Sequence, residues 1–254
     1  MIYYPIEKEG IIMTFVNEYH QFVMTTLETC FQKNEASIHE AAKLLYECEI
    51  NGGRIYTFGT GHSHMLGQDL YGRAGGYAKI YPILEGEMTL LTHPVKSTKL
   101  ERIPAYADVL ENLYDVKQGD VIIAASNSGR NGLVIEYLSR MKNKGVKIIG
   151  ITSLEHSKSI TSRHESGLRL FELADVVLDN FAPHGDAGVA LSDKIKMGPL
   201  STLSGCYLSQ FIIGEMVELL IANGYDAPVF RSSNIDGADA YNQELFDQYV
   251  IKKI

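Results

Sequence analysis

The chain has 254 residues, 45% hydrophobic and 21% charged, with a formal net charge of −8 at pH 7. Such a length accommodates one large α/β domain, and the composition excludes a disordered chain or a coiled coil. The acidic balance argues against the basic footprint of a nucleic-acid binder, so any anionic ligand has to be held by local groups.

The first ten residues, "MIYYPIEKEG", lack the basic and apolar regions of a signal peptide, and no stretch reaches the roughly 18 to 20 consecutive apolar residues of a membrane span. A cytoplasmic protein with no membrane partner is expected. Residues 11–50 contain neither proline nor glycine, with Phe15, Tyr19, Phe22, Val23 and Thr26 on one helical face and Ile38, Ala41, Ala42 and Leu45 on another. This spacing predicts two helices meeting near Asn34. Gly52-Gly53 ends the second, and "RIYTFG" then reads as a buried strand with a helix from about Ser63.

Four more strands are predicted: "KIYPILE" (79–85), "DVIIAAS" (120–126), "KIIGITS" (147–153) and "ADVVLDN" (174–180). "GLVIEYLSRMKNKG" has helical spacing and a glycine stop at Gly145, and a long helix is framed by Pro199 and Gly224. Alternating strands and helices imply a parallel sheet with right-handed crossovers. With no low-complexity linker and no repeat, one domain is expected over residues 1–254. The N-terminal helices (about 11–50) and the C-terminal tail (about 225–254) would pack on it.

Ligands of open parallel sheets sit beyond the carboxyl ends of the strands. After the first strand stands Gly59-Thr60-Gly61-His62-Ser63, after the third Ser126-Asn127-Ser128-Gly129-Arg130-Asn131, and after the fourth Thr152-Ser153 with Ser157 beyond. Hydroxyls and exposed amides hydrogen-bond phosphate oxygens, and glycine lets backbone approach a ligand closely. Serine and glycine are common in loops, but three concurring strand ends describe a phosphate cradle. A dinucleotide fingerprint is disfavoured because its third glycine would fall on His64, and no G-x-x-x-x-G-K-[ST] occurs. Cys30, Cys48 and Cys206 are odd in number and widely spaced, without C-x-x-C or zinc spacing, and read as reduced thiols.

"FGTGHSHMLGQDL", "IIAASNSGRNGLVIEYLSRMKNKGVKIIGITS" and "FELADVVLD" resemble the sugar isomerase (SIS) domain from about Ile38 to Gly224. "SNSGRN", "STKLERIPAYA", "GDA" and "VFRSSNIDGADAYN" are similar to a group of bacterial SIS proteins of no established reaction, over nearly the whole chain. The resemblance implies a three-layer α/β fold with a five-stranded parallel sheet of flavodoxin-like or Rossmann-like topology. It also implies oligomerisation through helices, a homodimer being the simplest form, and binding of a phosphosugar. Ser63, Ser126, Ser128 and Ser153 match the phosphate-binding hydroxyl positions, with Gly59, Gly61 and Gly129 shaping the loops; Asn127 and Thr152 lie among them. Where phosphoheptose isomerases and N-acetylmuramic acid 6-phosphate etherases carry a catalytic glutamate, this chain has Arg73.

A sugar isomerase or lyase removes a proton next to a carbonyl, with a carboxylate or histidine poised by burial. Glu85 and Glu87 follow the second strand, and Glu101 lies in "STKLERI", the segment where the etherases place a second acid. Glu101 is the first candidate base, Glu85 the second and His62 the candidate acid, each also readable as an ordinary surface side chain. His64, His184 and Asp186 complete the rim, without the spacing of a zinc site. Neither an organic cofactor nor a metal is expected. Two classes stay open: a phosphosugar isomerase or lyase, and a non-catalytic sugar-phosphate sensor.

Overall fold

The computed structural model describes residues 6–8, 11–91 and 93–250. An antiparallel pair, β1 (Ile6–Lys8) and β2 (Ile11–Met13), leads into α1 (Phe15–Ile50). Then come β3 (Ile55–Gly59), a 3₁₀ turn (Gly61–Ser63), α2 (His64–Leu70), β4 (Ile80–Ile83), α3 (Pro94–Leu100) and α4 (Tyr106–Leu113). The middle of the chain forms β5 (Val121–Ala125), α5 (Gly132–Asn143), β6 (Lys147–Thr152), α6 (Leu154–Lys158), α7 (Leu170–Leu173) and β7 (Val176–Asp179). A hairpin of β8 (Val189–Ser192) and β9 (Ile195–Met197) precedes α8 (Ser201–Ala222) and α9 (Ala238–Leu245).

The five expected strands pair in parallel in the order β4-β3-β5-β6-β7. Counted along the sheet's own strands this is 2-1-3-4-5, the flavodoxin-like order. Its topological switch point lies between β3 and β5, where Gly59 stands level with Ala125. Strand residues alternate between two buried faces, as a sheet covered on both sides requires. Ile55, Val121, Ile123, Ile149 and Leu178 pack with α1, α2 and α8, while Tyr56, Phe58, Ile122, Ala124 and Ile148 pack with α4, α5 and α7.

Residues 15–50 form one helix of 36 residues and not two. Asn34, expected to mark a break, is 3% exposed. Its Nδ2 donates to Cys30 O and Asp179 O at 2.9 Å each, and its Oδ1 accepts from Asp179 N at 2.9 Å. Its amide thus completes the backbone bonding at the end of β7, which outweighs the weak helix propensity of asparagine. The helix is about 54 Å long at 1.5 Å per residue, and its first turns meet the hairpin beyond the end of β7. The hairpin packs there: a Cβ on Gly188 would lie 2.1 Å from the Phe22 ring, and Tyr19 OH donates to Pro199 O at 2.8 Å.

Among the described helices, α8 alone is long and apolar enough to cross a membrane. Leu208, Ile212, Met216 and Leu220 are each at most 1% exposed and belong to the core shared with α1. The C-terminal segment closes on the sheet edge through Phe230 and Leu245 with Ala78, and through a bridge between Tyr77 and Val229.

Candidate functional site

The first loop has a geometry that its glycines permit. A Cβ on Gly59 would lie 2.6 Å from Ser63 O, and Gly61 adopts φ +56°. His64 is 4% exposed and bonds Gly61 O through Nδ1, so it holds the turn from beneath. His62 is exposed and faces a cleft of about 490 Å³ bounded by Gly185, Asp186, Pro199, Thr202, Leu203 and Cys206. Ser63 turns into a water-sized hollow with Ser126, Asn127, Asn180, Ser201 and Thr202.

The second loop crosses the head of α5. Ser126 Oγ accepts from Gly129 N at 3.2 Å, and Gly129 takes φ +59° where a Cβ would meet Leu170 Cβ at 3.0 Å. Asn127 is committed to the framework: its Oδ1 accepts from Asn180 Nδ2 at 3.0 Å, and its carbonyl accepts from Thr152 Oγ1 and Ser153 N at 3.2 Å each. Ser128 is half-buried, and its hydroxyl has no hydrogen-bond partner among the described residues. It is the hydroxyl of this loop most available to a ligand.

Thr152 and Ser153 lie deeper than a phosphate-binding role anticipates, both 0% exposed. Ser153 Oγ donates to Ala182 O at 2.6 Å and accepts from His156 N at 3.0 Å, capping α6. The structure therefore brings Ser63, Ser126 and Ser128 to the rim and places Thr152 and Ser153 beneath it.

Of the candidate acids and bases, Glu101 reaches the loops. Its Oε2 accepts from Thr60 Oγ1 at 2.9 Å, and its carbonyl accepts from Leu133 N, in the first turn of α5, at 3.0 Å. Burial pushes the carboxyl above the ordinary glutamate range, against the opposing pull of the Thr60 hydroxyl and the Arg102 and Arg163 charges. Glu85 accepts from Tyr114 OH at 2.7 Å beside the edge strand β4. Glu87 is a half-buried ion-pair partner of Lys96, and a hydrogen bond from its own backbone amide, then Lys96, holds its carboxyl below the usual range. Arg73 pairs with Asp69 at the end of α2.

Further residues around the rim complete the site. Asp186, at φ +59°, accepts from Leu200 N at 3.0 Å, Ser201 N at 2.8 Å and Ser201 Oγ at 2.5 Å, occupying the N-terminus of α8. The signal was the "GDA" placed before a proline-led helix. Arg102, Arg130 and Arg163 gather around the head of α5, Arg163 Nη1 donating to Asn131 Oδ1 at 2.9 Å. Only Arg130 stands within a recognised loop; the other two are brought in by tertiary structure. His156 and His184 lie with ring centroids 4.6 Å apart, and burial with the neighbouring imidazole lowers the pKa of His156. Among the described residues no three histidine, cysteine, aspartate or glutamate side chains converge to hold a metal ion.

Comparison with known proteins agrees with this architecture. Residues 18–153 match the model of the SIS domain. The chain is 45% identical over 234 residues to the UPF0309 protein BH3325 of Halalkalibacterium halodurans, covering 92% of this chain and 97% of that protein. Among solved structures it resembles phosphoheptose isomerase GmhA from Neisseria gonorrhoeae, with TM-score 0.52, 16% identity and coverage of 80% and 97% of the two chains. It also resembles the Vibrio vulnificus NanR protein complexed with ManNAc-6P, with TM-score 0.52, 14% identity and coverage of 92% and 68%.

Proposed function

The chain belongs to the SIS domain family, and we propose on that premise that it is a cytoplasmic enzyme binding a sugar phosphate and moving a proton on it. One observation carries the reading: the Ser126–Gly129 loop follows β5 and the Glu101 carboxylate is bonded to Thr60 just after β3, the two strands that flank the switch point of the sheet, where such folds bind ligands. Structural relatives named as a phosphoheptose isomerase and as a protein complexed with ManNAc-6P support the ligand class.

In this reading the second loop and the head of α5 receive the phosphate. Glu101 takes the proton from the carbon beside the sugar carbonyl, and His62 serves the oxygen from the cleft side. An isomerase returns that proton to the neighbouring carbon; a lyase expels a substituent from the next one. No organic cofactor is required, because the substrate's own carbonyl stabilises the carbanion. A thermal-shift screen of sugar phosphates, followed by turnover assays, tests the reading. A ligand at a hundred times its Kd stabilises by about 2.7 kcal/mol, and no shift with any sugar phosphate overturns it. Binding without turnover, with Arg73 where related enzymes carry glutamate, makes the protein a sensor.

Ser128→Ala is expected to weaken the best ligand by about 1.5–3 kcal/mol, roughly ten- to a hundred-fold. Its Tm stays at the wild-type value, because the hydroxyl bonds no described residue. Calorimetry and a melting curve separate the two effects, and unchanged affinity removes Ser128 from the cradle.

We further propose a homodimer, with the N-terminal helix and C-terminal segment belonging to one domain. Phe31 is 52% exposed on α1 and lines, with Ile38 and Phe211, an open groove between α1 and α8. Val16 and Met24 on α1 and Met197 on the hairpin are more than half exposed as well. Covering them with a second copy removes this apolar surface from water. Light scattering at micromolar concentration is expected to read twice the chain mass, and the mass of one chain contradicts the proposal.

A further inference from the structure

The head of α5 is held by three segments that each deliver an arginine. Leu133 N donates to Glu101 O at 3.0 Å, next to Arg102. Gly132 lets that strap come close, since a Cβ there would meet Pro104 Cγ at 2.9 Å and Arg102 O at 3.3 Å. Arg163 N donates to Arg130 O at 2.9 Å, which ties the loop before α7 to the serine loop. Asn131, the N-cap residue of α5, makes no side-chain cap, its Oδ1 being taken by Arg163 Nη1.

Arg102 and Arg163 are exposed and Arg130 is half-buried, and of the three side chains only Arg163 makes a hydrogen bond among the described residues. Arg130 Nε is buried with no hydrogen-bond partner, a costly state for a charged donor. Arg102 forms no ion pair or hydrogen bond through its side chain among the described residues. The three charges repel one another, and burial together with Arg130 and Arg102 lowers the pKa of Arg163. Glu101 opposes that lowering. Three guanidiniums gather around Glu101, while Glu136 near the head of α5 is engaged by His164 and Arg140, which leaves a local cationic excess in a chain whose formal net charge is −8. Below the loop, Ser157 is 0% exposed and its Oγ is also unpartnered.

We propose that Arg102, Arg130 and Arg163 form the seat of the ligand's phosphate monoester, at the head of α5 beside Glu101. The inference rests on the sugar-phosphate reading and changes what holds the charged group: guanidiniums carry it, and the serine loop orients it. A monoester with about −1.5 to −2 charges at pH 7 balances the local excess, whereas a diester with one negative charge leaves it unbalanced. Forked guanidinium donors and the positive end of a 12-residue helix favour the same group. The seat therefore selects a sugar bearing a terminal phosphate over a nucleotide-linked or otherwise diesterified one. Its position also couples ligand to base, because a phosphate arriving among the arginines draws away the cations that keep Glu101 ionised.

The test is calorimetry on the full chain with inorganic phosphate, methyl phosphate and dimethyl phosphate. Wild type is expected to bind the first two and to bind dimethyl phosphate at least about ten-fold more weakly. Arg130→Gln and Arg102→Gln are each expected to weaken inorganic phosphate roughly ten- to a hundred-fold. Arg102→Gln breaks no intramolecular bond, so its loss cannot be a folding effect; Arg130→Lys, retaining charge without the fork, recovers part of the affinity. Inorganic phosphate binding unchanged in both glutamine variants overturns the seat. If Ser128→Ala alone abolishes sugar-phosphate binding in that case, the sugar-phosphate reading stands without it. If wild type binds neither inorganic phosphate nor any sugar phosphate, both fall.

Discussion

Glu101→Gln is expected to lower turnover of the accepted sugar phosphate by about 10²–10⁴, the usual contribution of a positioned general base, while ligand affinity changes little. The substitution keeps the shape of the side chain and an acceptor for the Thr60 hydroxyl, which lies 2.9 Å from Oε2. The pKa of Glu101 is raised chiefly by burial. A carboxyl raised in the folded state contributes stability below its unfolded pKa and loses it as pH rises through the folded pKa. Wherever the wild-type group is ionised it has lost that contribution, whereas glutamine imitates the neutral form at every pH. The Tm of Glu101→Gln is therefore expected to equal or exceed that of wild type at pH 7, and the difference to close as pH falls below about 4.3. The same shift sets the acid limb of kcat/KM above the ordinary glutamate value, because the base works ionised. Full turnover in Glu101→Gln passes the role to Glu85 or His62. Glu85 is less suited by its surroundings, since its carboxylate already accepts from Tyr114 at the sheet edge.

The five parallel strands were legible because strands buried on both faces read as continuous apolar runs, such as "VIIAA" and "KIIGIT". The rim loops were legible from composition, because the positive φ of Gly61 and Gly129 demands the residue that stands there. Ser153 illustrates where pattern reaches its limit. A serine after a strand serves equally as a ligand hydroxyl or as the cap of the next helix, and only its burial beneath Ala182 separates the two. The change of apolar face near Asn34 reads as a break between two helices, and the strand end that recruits Asn34 into one helix lies 145 residues away in sequence. The arginine seat was illegible for a similar reason: Arg102, Arg130 and Arg163 come from three separate segments, and although "STKLERI" contains Arg102, nothing local brings the three together. The hairpin after β7 was missed because its short strands are largely exposed and gain their support from Tyr19 and Phe22 of α1.

Asp186→Ala is expected to cost about 2–4 kcal/mol of stability, the sum of a lost helix cap, two backbone donors left without a charged acceptor and added backbone strain. For a chain of this size that corresponds to a fall in Tm of roughly 4–16 °C. The carboxylate holds Leu200 N, Ser201 N and Ser201 Oγ at once, in the dipole of a 22-residue helix. Asp186 does so from φ +59°, a conformation that aspartate, asparagine and glycine tolerate better than alanine. The expected order of melting temperatures is therefore wild type, Asp186→Asn, Asp186→Gly, Asp186→Ala: glycine removes the cap alone, and alanine removes the cap and adds strain. Alanine melting with wild type would show that Asp186 does not hold α8. Because Ser201 and Thr202 share a hollow with Ser63 and Ser126, releasing the first turn of α8 also loosens that wall of the site. Sugar-phosphate affinity should fall in the same order as Tm, with Asp186→Asn retaining most of it. A variant that melts early yet binds like wild type confines the role of Asp186 to the helix and leaves recognition to the loops and arginines on the other side of the crevice.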